Sequence, residues 1–81
     1  MIKATQIRAA RALLNWTQQD LVAASGLSFT TIKRMEDEKI GPGRSSAENV
    51  DAVQKAMQAA GILFIAENGG GAGVRLANPS A

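Results

Sequence analysis

The sequence predicts a mainly α-helical domain of four helices closed by a C-terminal β-hairpin, and three observations predict it. Apolar residues recur at helical spacing as far as Ala60, and capping residues and glycines cut that stretch into short segments. After Gly61 the pattern changes to the short apolar runs of strands around a glycine-rich turn. The 81 residues suffice for one domain rather than two. A domain of this size buries only about 60% of the surface its unfolded chain exposes. There is no Cys or His to add a disulfide or a structural zinc, so self-association is the expected supplement.

The first helix, α1, is expected from about Ala4 to Leu14, with Ile7, Ala10, Arg11 and Leu14 on one face. Arg11 interrupts that apolar face and requires a partner. The second, α2, runs from about Gln18 to Ser25. Thr17 is its N-cap, Asp20 makes a capping-box-like pair with it, and Trp16 and Leu21 stand at the two positions of a hydrophobic staple. Gly26 ends it, because glycine takes the left-handed conformation at little cost. The third, α3, repeats the design: Ser28 caps, Leu27 and Ile32 staple, and the helix reaches about Asp37 with Ile32 and Met35 facing inward. Two short helices each fixed at its start, separated only by Gly26-Leu27-Ser28, must turn a corner, which is a helix-turn-helix arrangement.

Gly41-Pro42-Gly43 marks a loop from Glu38 to Arg44. The fourth helix, α4, begins near Ser45 or Ser46, with Ser45 and Glu48 as a capping box and Gly61 as the C-cap. Val50, Val53, Met57 and Ala60 are expected to close the core. The hairpin spans Ile62 to Leu76, turning through Asn68 to Gly73. Its first strand is apolar on both faces, so one face can pack on α4 while the other needs cover. The domain is thus expected over 1–61, the hairpin over 62–77 as a dimerisation or partner element, and a frayed, flexible tail over 78–81.

The stretch from Thr17-Gln18-Gln19-Asp20-Leu21 through Gly26-Leu27-Ser28 to Ile32 and Glu36 resembles the lambda-repressor-like (Cro/Xre) helix-turn-helix family. That pattern has Thr-Gln opening α2, Leu followed by a small residue, and Gly at the corner. It continues with Ser or Thr capping the recognition helix, Ile within it and Glu near its end. The resemblance covers residues 4 to 60; α4 is looser and the hairpin lies outside the common core. It implies a four-helix lambda-repressor-like domain that binds DNA as a small transcriptional regulator, with the recognition helix at about 29–37. It further implies that Gln18 contacts the DNA backbone and braces a recognition-helix side chain. The partner it supplies for Arg11 is Glu36, as a structural salt bridge.

Placed in a major groove, α3 presents Phe29, Thr30, Lys33 and Arg34 from the face opposite Ile32 and Met35. Arg34 suits a bidentate contact to guanine, and Thr30 a hydroxyl contact or a methyl contact to thymine. Phe29 either meets a thymine methyl or covers a neighbouring loop, and Lys33 reaches either a base or a phosphate. Gln18, Thr31, Lys39 and Arg44 are the phosphate candidates, with Ser28 as a cap whose helix amides can face a phosphate. Residues 1–44 carry seven basic side chains against four acidic ones, a net +3, while residues 45–81 carry a net −1. The basic half is the one assigned to DNA.

Catalysis is not expected, since the commonest general base and the thiol nucleophile are both missing. The glycines from Gly69 to Gly73 precede no helix and read as a hairpin loop rather than a dinucleotide site. No cofactor or metal is expected. No apolar run approaches the roughly 20 residues that span a bilayer, and no signal-peptide core is evident, so a cytoplasmic protein is expected. The expected partners are an operator with two half-sites and a second copy of the chain. The alternative is an antitoxin or adaptor that grips a toxin or other protein through the hairpin.

Overall fold

The computed structural model describes residues 1–77, so the expected tail over 78–81 lies outside the described residues. Its order is α1 (Ala4–Leu14), α2 (Gln18–Ser25), α3 (Phe29–Glu36), a single 3-10 turn (Pro42–Arg44), α4 (Ala47–Ala59), β1 (Ile62–Ile65) and β2 (Gly73–Leu76). It is mainly helical with one small antiparallel hairpin. None of the described helices is long and apolar enough to cross a membrane.

The helix starts follow from side-chain chemistry. Thr17 Oγ1 accepts from the Asp20 amide at 3.1 Å, and Asp20 returns the bond by accepting from the Thr17 amide at 2.8 Å. Ser28 caps α3 by accepting from the Thr31 amide at 3.1 Å. Ahead of α1, α2 and α3 stand Ile2, Trp16 and Leu27, and four residues into each stand Ile7, Leu21 and Ile32. Ile2, Ile7, Leu21 and Ile32 belong to the one core and Trp16 and Leu27 pack against it, so each apolar pair fixes the angle at which the chain enters its helix. Asn15 ends α1 in the left-handed region, at φ 56°, which asparagine tolerates better than most residues. Gly26 ends α2 there as well, at φ 76°.

Three details of α4 differ from expectation. Ser46, not Ser45, caps the helix, accepting from the Asn49 amide at 3.1 Å. Ser45 instead accepts from the Asn49 side chain at 3.2 Å, and no Ser45–Glu48 box forms. The cause is the 3-10 turn over Pro42–Arg44, whose last bond runs from the Ser45 amide to the Pro42 carbonyl and delays the helix by a residue. At the other end the helix stops at Ala59 with Ala60 as its cap, and Gly61 follows at φ 106°. Ala60 is therefore exposed rather than part of the core, while Val50, Val53 and Met57 are buried as expected.

The core joins Ile7 and Ala10 of α1, Leu21, Ile32, Met35, the α4 valines with Met57, and Ile62 of the hairpin. Helix α4 packs on α2 and β1, while α1 packs on α3 and β2. Strand pairing sets Ile62 opposite Leu76 and Phe64 opposite Val74 on the inward face. Leu63 opposite Arg75 faces outward, and Leu63 is exposed. The hairpin thus uses α1 as well as α4 for its inner face. Its outer face keeps the uncovered apolar residue that the sequence pattern implied.

Candidate functional site

Helix α3 divides into two faces of opposite character. Ile32, Met35 and Glu36 are buried, and Phe29, Thr30, Lys33 and Arg34 are exposed. Glu36 is a carboxylate only 3% exposed, held where α1, α2 and α3 meet. Arg11 meets it with a two-pronged pair, Nε to Oε2 at 2.7 Å and Nη2 to Oε1 at 2.8 Å. This geometry matches a planar guanidinium to a planar carboxylate and is among the stronger side-chain contacts available. Arg11 Nη1 also donates to the Trp16 carbonyl at 3.1 Å, and Gln18 Nε2 donates to Glu36 Oε1 at 3.2 Å. The hydrogen bond to Glu36 holds the Arg11 guanidinium above its ordinary pKa. The expected Arg11–Glu36 contact is therefore present, and Gln18 joins it.

Arg8 belongs to the same cluster, although the sequence pattern did not single it out. It donates to the Glu36 carbonyl and to the Glu38 carboxylate at 2.6 Å, so the last turn of α3 and the following loop are both tied to α1. Arg8 and Arg11 stand three residues apart on one face of α1. Nothing in the sequence distinguished Arg8 from an ordinary solvated arginine.

The exposed side of α3 borders two recesses. Phe29, Thr30, Lys33 and Arg34 line one of about 290 Å³, together with Asp37 and Ile40. Thr31, Arg34 and Arg44 line the other, of about 420 Å³, with Ser45 and Gly41 at its rim and Met35 and Ile40 in its apolar wall. Arg34 and Ile40 border both, so Arg34 stands on the ridge between them. All four residues expected to read bases share the first recess, and two of the five expected at phosphates share the second. Gln18, Ser28 and Lys39 line neither.

Hydrogen bonding refines several of these positions. The Ser28 hydroxyl donates to Thr31 Oγ1 at 2.9 Å while capping the helix, so its own proton is already used. The Thr31 hydroxyl keeps its proton for a bond outward from the second recess. The Lys33 ammonium sits 5.6 Å from the centroid of the Phe29 ring, a cation–π contact that holds the two side chains against one another. The Lys39 amide donates to Asp37 Oδ1 at 2.8 Å, which orders the loop just past the helix. Among the described residues, Lys33, Arg34, Lys39 and Arg44 form no ion pair. Chemically, this side of the molecule offers cations, three hydroxyls and two exposed apolar side chains in adjoining recesses. No protein-family model matches the chain, and a search of curated proteins likewise finds no match.

Proposed function

We propose that this chain is a sequence-specific double-stranded DNA-binding protein, a small cytoplasmic transcriptional regulator of the lambda-repressor-like helix-turn-helix type that acts as a dimeric repressor. One observation carries the reading: α3 buries Ile32, Met35 and Glu36 and leaves Phe29, Thr30, Lys33 and Arg34 together at one recess, with its two cations in no ion pair among the described residues. A helix held this way can enter a major groove while α1 and α2 stay behind it. Arg34 then reads guanine through O6 and N7, while Thr31 and Arg44 in the adjoining recess meet a phosphate. Lys39 adds a further backbone contact. Gln18 stands at the start of α2 with one amide proton spent on Glu36 and the other available to a phosphate. Two copies joined through their hairpins, each covering the other's exposed Leu63, would place two such helices on successive half-sites.

The test is titration of the purified chain with a duplex selected from a random-sequence pool and with a scrambled duplex of equal length. The selected duplex should bind more tightly, take up two protomers and lose affinity linearly in log–log salt. Arg34→Ala should cost about 1–3 kcal/mol on the selected duplex only, while Lys39→Ala should weaken both duplexes alike. Equal affinity of the unmodified chain for the two duplexes would sink the reading.

A further inference from the structure

We infer that the recess beside α3 takes the 5-methyl group of a pyrimidine neighbouring a guanine, and that Ile40, from outside the helix, sets this preference together with Phe29 and Arg34. The inference rests on the reading of α3 as the DNA-reading helix and names the base step it reads.

Phe29 and Ile40 are 40% and 39% exposed, two of the large apolar side chains left to solvent, and both line this one recess. They come from different segments. Phe29 opens α3, and Ile40 is positioned beyond its end by a turn in which the Ile40 and Gly41 amides donate to the Asp37 carbonyl at 3.0 and 2.7 Å. An apolar pair assembled from two segments beside cations calls for an occupant that is itself part apolar and part acceptor. The major groove offers one apolar group, the methyl on C5 of thymine, which 5-methylcytosine shares. Guanine offers the acceptor pair that suits Arg34, on the ridge of the same recess.

Charge decides between a base edge and a phosphate. Asp37 lines this recess with Lys33 and Arg34 and offsets one of their two charges, so of the two recesses this is the less attractive to a phosphate. The adjoining recess has Arg34 and Arg44 on its wall and no carboxylate, so the backbone belongs on that side. Lys33 leans over the Phe29 ring, so its ammonium lies beside the apolar lining that Phe29 and Ile40 give the recess.

The experiment uses the whole chain and duplexes selected from a random pool. In the best-bound duplex each thymidine is replaced in turn by deoxyuridine, which removes the methyl and nothing else. One replacement, next to a guanine, should weaken binding about fourfold, the effect of burying one methyl group. At that position 5-methylcytosine should bind better than cytosine by a similar factor. Ile40→Ala, a change in an exposed loop, should bind the duplex yet lose the preference for thymine over uracil. Equal affinity for thymine and uracil at every position would overturn the inference and leave DNA binding standing. The same holds if 5-methylcytosine gains nothing over cytosine, or if Ile40→Ala keeps the full preference. If no duplex is enriched from the pool, the underlying reading fails and the inference with it.

Discussion

The two ends of α1 are fastened by different chemistry. Toward its C-terminal end Arg11, with Arg8 a turn earlier, holds the buried Glu36 and its backbone, so the contact depends on a carboxylate taken out of water. At its N-terminal end the fastening is a neutral amide. Gln6, only 3% exposed, accepts from the Lys3 amide at 2.8 Å and donates to the carbonyls of Ile65 and Gly73 at 3.2 and 2.9 Å. Those two carbonyls belong to a facing pair on β1 and β2, so a single side chain clasps both strands. The charged end sets α3 and the neutral end sets the hairpin. A buried charge that loses its partner is far more costly than a neutral amide that loses its acceptors, so the two ends should respond to mutation on different scales.

The largest effect is expected at Glu36. Glu36→Gln keeps the shape but leaves Arg11 facing a neutral amide, and breaking such a pair costs about 3 kcal/mol. Because Arg11 keeps some access to water, the low end of the range for buried pairs applies. For a domain of this size that is a fall in Tm of roughly 15 °C, read by thermal denaturation. The combined replacement Arg11→Met with Glu36→Leu should recover most of the loss, since no unpaired charge then remains. A double variant as unstable as Glu36→Gln would show that packing, not charge, governs this end.

A smaller effect is expected at Gln6. Gln6→Leu fills similar space and removes the clasp, which should cost about 1–2 kcal/mol. The loss should be local. In amide hydrogen exchange the hairpin amides that the register pairs, Leu63 and Arg75 among them, should become faster while that of Ile32 in the core changes little. Equal acceleration at both places would mean that the hairpin opens only with the whole domain.

Sequence and structure agree best where the signal is local. Thr17 with Asp20, Ser28 with Thr31, and Gly26 at the corner each act within a few residues, so α2 and α3 were legible together with the faces they present. The Arg11–Glu36 pair was legible for another reason: an arginine on an apolar face demands a carboxylate, and the family resemblance supplied one. Gln6 gave no such signal. It occupies the third position of α1, where a glutamine completes a capping box, but the cap residue is Lys3 rather than Ser or Thr. Its partners are backbone carbonyls some sixty residues away, and no side-chain pattern encodes them. Ile40 gave no signal either, because a lone apolar residue in a polar loop shows its neighbour Phe29 only once the fold brings both to one recess. The Ser45 cap failed for want of one further rule: the 3-10 turn after Gly41 consumes the Ser45 amide and passes the capping role to Ser46.

The smallest effect belongs to the surface pair that flanks the Gln6 clasp. Lys3 forms a salt bridge with Glu67, at the start of the loop that follows β1, and both side chains are largely exposed. The hydrogen bond from Lys3, helped by its charge, lowers the Glu67 carboxyl below its ordinary value near 4.5. A carboxylate whose pKa is lower folded than unfolded stabilises the fold above the unfolded value, and that contribution fades as pH falls through the folded one. Water screens so exposed a pair, so the effect on Tm should be slight. It is better read directly, by following the Glu67 side-chain carbonyl carbon by NMR as pH is lowered. The midpoint should lie below the ordinary carboxylate range and return to it in Lys3→Ala, whose backbone amide still reaches Gln6. The clasp should survive that change, with the hairpin amides exchanging as slowly as before. Faster exchange in Lys3→Ala would place part of the hairpin's fastening in the surface charge, and the contrast between a charged and a neutral end of α1 would weaken accordingly.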